Sequence, residues 1–182
     1  MKRFLLLPLL MVCGAWLAWA DDPTAGPADS ERVRQFQRNR PLVRELVTGG
    51  LNLAAEPEAL KRADYCNNLA EYLVREIQEA AVNKEGDRAL ELGRHLNTLL
   101  KGGVADNLRA VRLGTNAGSA LELELRRVRD RAAEVTKPLE EQLERASETE
   151  PGDMRHTLQA VHDGRSEVEK ALKGLDHPRA KE

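Results

Sequence analysis

Histidine and cysteine are the side chains of this sequence best suited to bind a metal or to attack a substrate. The four histidines are scattered along the chain: His95, His156, His162 and His177. None of them forms a His-x-x-x-His pair. Glu91 shares a predicted helix face with His95, and Asp153 with His156, but a structural metal needs about four ligands. The spacing therefore predicts no metal site.

The sequence also lacks the patterns that mark a catalytic nucleophile. No Ser, Thr or Cys stands in a context such as Gly-x-Ser-x-Gly, and no Cys-x-x-Cys-His haem attachment motif occurs. The carboxylates are numerous, and they lie in charged runs that are typical of solvated helix faces. We therefore expect a protein that is not an enzyme, with no catalytic residue and no cofactor.

Four residues remain as candidates for a pocket or a sensor role. Cys66 lies on the apolar side of a predicted helix and is interpreted as a buried small hydrophobe, with a reactive or intermolecular thiol as the alternative. Pro138 stands inside another predicted helix, where it should free the carbonyl of Glu134. Folding the chain back near residue 150 would bring this kink close to His162 and Gly164. A kink opposite a glycine can form a small pocket, or the neighbouring side chains can repack to fill the space.

Two similar stretches each place a pair of glycines beside aliphatic residues. They are ELVTGGLNLAA at 45–55 and TLLKGGVADNL at 98–108. A helix that stops at a left-handed glycine, with the next apolar residue folding back on it, has this pattern. An internal duplication and a phosphate-binding loop are the alternatives, although a phosphate cradle needs more glycines and a Lys-Ser/Thr end. The pattern thus predicts that a helix ends at each pair.

The N-terminal stretch predicts export. Basic residues in Met1-Lys2-Arg3 precede an apolar run over 4–20 that ends in Ala18-Trp19-Ala20, as in a secretory signal peptide with an A-x-A cleavage site. We expect residues 1–20 to be removed and the protein to be periplasmic or secreted. A membrane anchor is an alternative, although ~17 apolar residues are at the short limit for a span. Lipid attachment at Cys13 is another.

The composition after residue 20 restricts the partners. Phe36, Tyr65 and Tyr72 are the only aromatic residues there, and acidic residues outnumber basic ones. This argues against stacking of nucleic-acid bases and against phosphate-backbone binding. Cys66 is the only cysteine in this part, so no internal disulfide can form. The length predicts one helical domain over 30–175, between a flexible leader at 21–29 and a flexible tail at 176–182.

Apolar residues recur every three to four positions through the predicted domain, which indicates helices. The predicted fold is all-α: an antiparallel helical bundle of about four core helices, with an N-terminal segment at 30–48 packed across it. The core helices are expected at 57–83, 86–101, 119–147 and 151–174. Asn67 falls where the predicted 57–83 helix expects an apolar residue, so we expect it to fix register against a neighbour.

The last two helices form the most regular pattern. Their apolar seams step by 4 and 3 along Leu121, Leu125, Val128, Ala132, Val135 and Leu139, and along Met154, Leu158, Val161, Arg165, Val168, Leu172 and Leu175. The alternation LELEL at 121–125 resembles a strand. However, Ser119 and Glu122 form a capping box that favours a helix start, with Glu122 on the outer face. The two seams predict a coiled-coil-like hairpin, covered by the 57–101 helices or by a second chain.

The stretch RNRPLVRELVTGGLNLAAEPEALKRADYCNNLAEYL, with GVADNL and ELRRVRDRAAEVTKPLEEQLER, resembles small exported helical proteins of planctomycete-type bacteria. That resemblance implies no activity and no site residues. In size and export the chain is also similar to periplasmic proteins of the Spy/CpxP type, but it lacks their Leu-Thr-x-x-Gln motif, so this likeness is architectural.

Together these features predict a non-catalytic protein of the cell envelope that binds another protein, or itself, through helix faces. It would act as an adaptor, a chaperone-like protein or a stress or regulatory component. The alternative is a periplasmic sensor of a metal, a ligand or a thiol. We expect no nucleic-acid partner and no stable membrane insertion after signal cleavage.

Overall fold

The computed structural model describes residues 27–114, 119–149 and 152–173. The predicted signal peptide and tail lie outside these ranges, as does the leader up to residue 26. Regular structure in the described residues is entirely helical, which confirms the all-α prediction. The elements are α1 (Pro27–Ala55), α2 (Ala59–Val82), α3 (Gly86–Thr98), a π-helical segment (Leu99–Ala105), α4 (Asp106–Arg112), α5 (Ala120–Thr149) and α6 (Asp153–Ala171).

Four of these elements form a bundle in which each helix contacts two others. The contacts join α2 to α3, α3 to α6, α6 to α5 and α5 to α2. Helices α2 and α5 run parallel, because contacts advance along both together: Asn67 bonds to Val128, and farther along Gln142 bonds to Gln78. The predicted hairpin seams are therefore covered by α2 and α3, which belong to the 57–101 region.

The core of the bundle consists mainly of leucine, valine and alanine, as the aromatic-poor composition requires. The largest fully buried side chains come from every core element: Leu73, Ile77, Leu96, Leu100, Leu108, Leu125, Leu139, Leu143, Met154, Leu172, Val104 and Val161. Burial of each such side chain favours folding by about 1.5–3 kcal/mol relative to exposure. Most of the predicted seam of α5 is thus buried, namely Leu125, Val128, Ala132 and Leu139. Val135 is partly buried, and Leu121 at the start of the seam is exposed.

The start of α5 confirms the predicted cap and corrects the prediction for Glu122. The Ser119 hydroxyl accepts a hydrogen bond from the Glu122 backbone N–H at 3.2 Å, and the helix begins at Ala120. The Glu122 side chain, predicted to face outward, is buried, and its Oε1 accepts from Arg126 Nη2 at 2.7 Å. The prediction failed because a charged residue with an Arg four positions on can be buried as part of an ion pair.

The prediction that a helix ends at each Gly-Gly pair is wrong. Gly49 and Gly50 lie inside α1, and Gly102 and Gly103 lie inside the π-helical segment that continues α3 into α4. In each pair one glycine faces a neighbouring helix closely. A Cβ on Gly49 would overlap Leu69, and one on Gly103 would lie 2.6 Å from Cys66 Sγ. One glycine of each pair is therefore required for packing between helices.

Helix α1 is longer than predicted: it begins at Pro27, ends at Ala55 and contains Pro41. The chain divides into two compact units, 1–41 and 42–182, with the boundary inside this helix. In the second unit, the α1 residues Leu42 and Leu53 pack with the bundle core. This packing fixes which side of α1 faces the bundle from residue 42 onward.

Candidate functional site

The four residues that the sequence nominated differ in burial. Cys66 and Gly164 are buried, and Pro138 and His162 are exposed. The heavy atoms nearest to a Cβ on Gly164 belong to Asn97 and Leu100, at 2.9–3.2 Å. Gly164 thus packs against the end of α3 and the start of the π-helical segment. Cys66 packs against Gly103, near the end of the same segment.

The buried position of Cys66 determines its chemistry. Burial raises the pKa of the thiol from 9.0 to about 11, and the positive charge of Arg62 offsets only part of this increase. The thiol is therefore protonated at neutral pH, and the thiolate is the reactive form. The structure thus favours the interpretation of Cys66 as a small apolar core residue.

A hydrogen-bond network holds the π-helical segment beside Cys66. Asn107 Nδ2 donates to the Gly103 carbonyl oxygen at 2.6 Å, and Asn107 Oδ1 accepts from Arg62 Nε at 2.9 Å. Arg62 Nη1 also donates to the carbonyl oxygens of Glu56 and Pro57, between α1 and α2. In a π-helix the backbone carbonyls do not have the hydrogen-bond partners of an α-helix. The Asn107 amide provides a donor for one of them, the Gly103 carbonyl.

Three of the four histidines lie within the described residues. His95, His156 and His162 are exposed, and His177 lies outside the described residues. Within the described ranges, no three His, Cys, Asp or Glu side chains are grouped so that they could hold a metal ion.

A charged cleft lies between α2 and α5. Arg131 donates to Asp64 at 2.8 Å, and to Asn68 and Glu71 at 2.7 Å. The carboxylates of Glu71 and Asp64 raise the pKa of Arg131. The adjoining cleft encloses about 200 Å³ and is lined by Leu60, Lys61, Asp64, Glu124, Arg127, Val128 and Arg131. Cations and carboxylates alternate around it. Such a lining is typical of ion pairs between helix surfaces, and no buried polar group points into the cleft to select a ligand.

The outward side of α1 carries a row of exposed apolar side chains in the second unit. Val43, Val47 and Leu51 are 51%, 57% and 68% exposed, and their spacing of four residues places them along one side of the helix. We call these three residues the outer row. The opposite side contacts the bundle through Leu42 and Leu53. From residue 42 onward, α1 therefore has two apolar sides, of which the bundle covers one.

The first unit also exposes apolar and basic residues, which we describe separately. Val33 is 54% and Phe36 69% exposed, and Arg34 and Arg40 are exposed as well. These residues precede Pro41. The surface of this part of α1 is thus basic, with one large aromatic side chain.

The outer row was missed in the sequence analysis, although a signal for it was present. Apolar residues in 42–55 occupy too many positions for one helix face, because Leu42, Leu46 and Leu53 fall on one side and the outer row on another. The predicted helix end at Gly49-Gly50 left this density without a helical face.

Comparison of the chain with protein-family models, with curated proteins and with solved structures finds no match. Among the helices of the described residues, none has the length and apolar character that a membrane span requires. The physical features of the chain itself are therefore the basis for a functional proposal.

Proposed function

We propose that this protein is a non-catalytic binding protein of the cell envelope that contacts a protein partner through the outer row of α1. It would serve as an adaptor, a chaperone-like protein or a regulatory component. The observation that carries this proposal is the row of Val43, Val47 and Leu51, exposed on a helix whose other side packs on the core. Export rests on the signal-like sequence of residues 1–20.

The outer row differs from single exposed apolar residues, which are normal on protein surfaces. Val82 and Leu113 are 73% and 92% exposed, but each lies at the end of a helix. The outer row instead extends along two turns of a helix interior. Apolar surface removed from water contributes about 25 cal/mol per Å², so a partner covering a row gains more free energy than one covering a single side chain.

The alternative of a thiol sensor receives little support, because Cys66 is buried and its raised pKa keeps it protonated. A binding role requires only an exposed contact surface, which the outer row provides. It also agrees with a fold whose stabilising interactions are internal and whose outer row contributes nothing to the core.

Replacement of Val47 by Asp tests the proposal in the cells that produce the protein. Val47 is exposed, so the substitution should leave the bundle folded while it places a charge in the contact. We expect the native protein to migrate as a complex larger than a monomer, and the Val47→Asp variant to migrate as a monomer. Val82→Asp is the matched control and should keep the complex. Equal complex size for all three proteins would contradict the proposal.

A further inference from the structure

The outer side of α1 has the spacing of a coiled-coil seam. Val43, Val47, Gly50 and Ala54 follow one another in steps of 4, 3 and 4 residues, and all four are exposed. None of them carries a charge. Alternating steps of 4 and 3 keep residues facing a second helix along its length, as in the buried seam of α5. The seam on α1 is unoccupied by any described part of the bundle.

Gly50 leaves open space within this seam. Glycine in a helix interior is less favourable than alanine. Its neighbour Gly49 has a structural reason, since a Cβ there would overlap Leu69. At Gly50 a Cβ would meet nothing within 4 Å. No contact within the described chain therefore requires glycine at position 50, and the open space there leaves room for a second backbone to approach.

The seam is complementary to itself when two copies run antiparallel. If the two-fold axis passes between residues 48 and 49, Val47 of each copy lies over Gly50 of the other, and Val43 lies over Ala54. Each large side chain then faces a small one, and this permits a short distance between the helix axes. Leu51 then lies level with Leu46 of the other copy, and Arg44 lies level with Leu53, so the arginines of the two copies do not face one another.

We propose that the partner of the outer row is a second copy of this chain, bound through an antiparallel pair of α1 helices. A two-fold dimer uses the same patch on both subunits, so the patch must be complementary to itself. The large residues on one side of positions 48–49 and the small residues on the other give this self-complementarity. A lipid surface would cover Val43 and Val47 equally well, but it would give no reason for glycine at position 50. This inference rests on the proposed function, because it names the occupant of the same outer row.

Sedimentation and light scattering of the purified protein test the pairing. We expect a dimer for the native protein and for Val82→Asp. Val47→Asp should raise the dimer dissociation constant at least about tenfold, since burying an unpaired carboxylate opposes association by more than 1.4 kcal/mol. Gly50→Leu should also weaken the dimer, because its side chain would fill the space for Val47. Circular dichroism should show that both variants remain helical.

Disulfide trapping tests the antiparallel register. A mixture of Val47→Cys and Gly50→Cys proteins should form a disulfide between copies faster than either protein alone, because residues 47 and 50 lie opposite each other across the axis. Cys66 is buried and should not compete. A dimer that cross-links best through two copies of Val47→Cys would contradict the proposed register.

The outcomes separate this inference from the proposed function. A native protein that is monomeric at all concentrations overturns the self-pairing. If a complex in cells is still lost in Val47→Asp, the binding function stands with another protein as partner. Binding of the monomer to anionic vesicles, lost in Val47→Asp, would replace both proposals with a membrane surface. A monomer whose complexes are insensitive to position 47 overturns both.

Discussion

The side-chain amide of Asn67 donates a hydrogen bond to the backbone carbonyl oxygen of Val128 at 2.9 Å, which joins α2 to α5 inside the core. Asn67 is fully buried, and its Oδ1 has no hydrogen-bond partner among the described residues. A buried polar atom left without a partner opposes folding by about 1–3 kcal/mol. The amide therefore specifies the alignment of two parallel helices and does so at some cost in stability.

Replacement by Asp should destabilise the protein strongly at Asn67 and change its stability little at the neighbouring Asn68. Asn67→Asp places a carboxylate beside the Val128 carbonyl in the core, so we expect a loss of about 3 kcal/mol or more in the free energy of unfolding. Asn68 is exposed, and its Oδ1 accepts from Arg131 Nη2 at 2.7 Å. Asn68→Asp keeps this acceptor and should change stability by less than about 1 kcal/mol. Urea denaturation measures both, and similar losses would show that Asn67 is not buried against α5.

The two glycines of the π-helical segment should respond differently to alanine. A Cβ on Gly102 would meet nothing within 4 Å, so Gly102→Ala should be neutral or stabilise the protein by up to about 1 kcal/mol. A Cβ on Gly103 would lie 2.6 Å from Cys66 Sγ, so Gly103→Ala should destabilise it by about 1–3 kcal/mol. Thermal denaturation distinguishes the two.

A double variant tests whether Cys66 causes that loss. In the Cys66→Ala background the sulfur is absent, so Gly103→Ala should cost less than it does in the native protein. Residues in contact commonly show interaction energies of about 0.5–3 kcal/mol in such cycles. Strictly additive losses would mean that the sulfur does not limit the space beside Gly103.

The thiol of Cys66 should make stability depend on alkaline pH. Its pKa of about 11 in the folded protein exceeds the value of 9.0 expected when exposed. As the pH rises above 9, the unfolded chain therefore loses the thiol proton before the folded protein does. This deprotonation stabilises the unfolded chain, so the free energy of unfolding decreases until about pH 11. Cys66→Ala should lack this part of the decline.

The native thiol should also react slowly with a thiol reagent at pH 8 and rapidly in denaturant, whereas equal rates would refute its burial.

Leu125 and Leu123 provide a matched test of the α5 seam. Leu125 is fully buried and Leu123 is 69% exposed. Leu125→Asp should unfold the protein or destabilise it by more than about 4 kcal/mol, and Leu123→Asp should cost less than about 0.5 kcal/mol. Circular dichroism during heating measures both. Equal tolerance of the two substitutions would contradict the hairpin packing.

The helical elements and the hairpin seams could be predicted because they depend on local periodicity. Leu125, Val128 and Ala132 recur with helical spacing on α5, as do Val161 and Val168 on α6, and all five are buried. The start of α5 was also predictable, since Ser119 caps its own helix through a contact only three residues away. Features that are determined within one helix turn or one heptad are visible in the sequence.

Features that depend on a distant neighbour could not be predicted in this way. The same Gly-Gly sequence ends some helices and permits close helix packing in others, and only Leu69 and Cys66, far away in the sequence, decide between these outcomes. The pairing of Glu140 with Arg165 across the hairpin explains how a charged residue can occupy the α6 seam, again through a residue on another helix. The outer row was missed because the apolar density of 42–55 does not reveal which side the bundle covers.

A photo-crosslinking amino acid at position 47, introduced in cells that produce the protein, tests whether the outer row is a contact surface. If it is, illumination should yield a covalent adduct of defined mass with a protein. The same amino acid at position 82, which is also exposed, should yield none. A mass of twice the chain would identify the second copy as the partner. No adduct at position 47, or equal adducts at both positions, would contradict the claim that α1 carries the binding function.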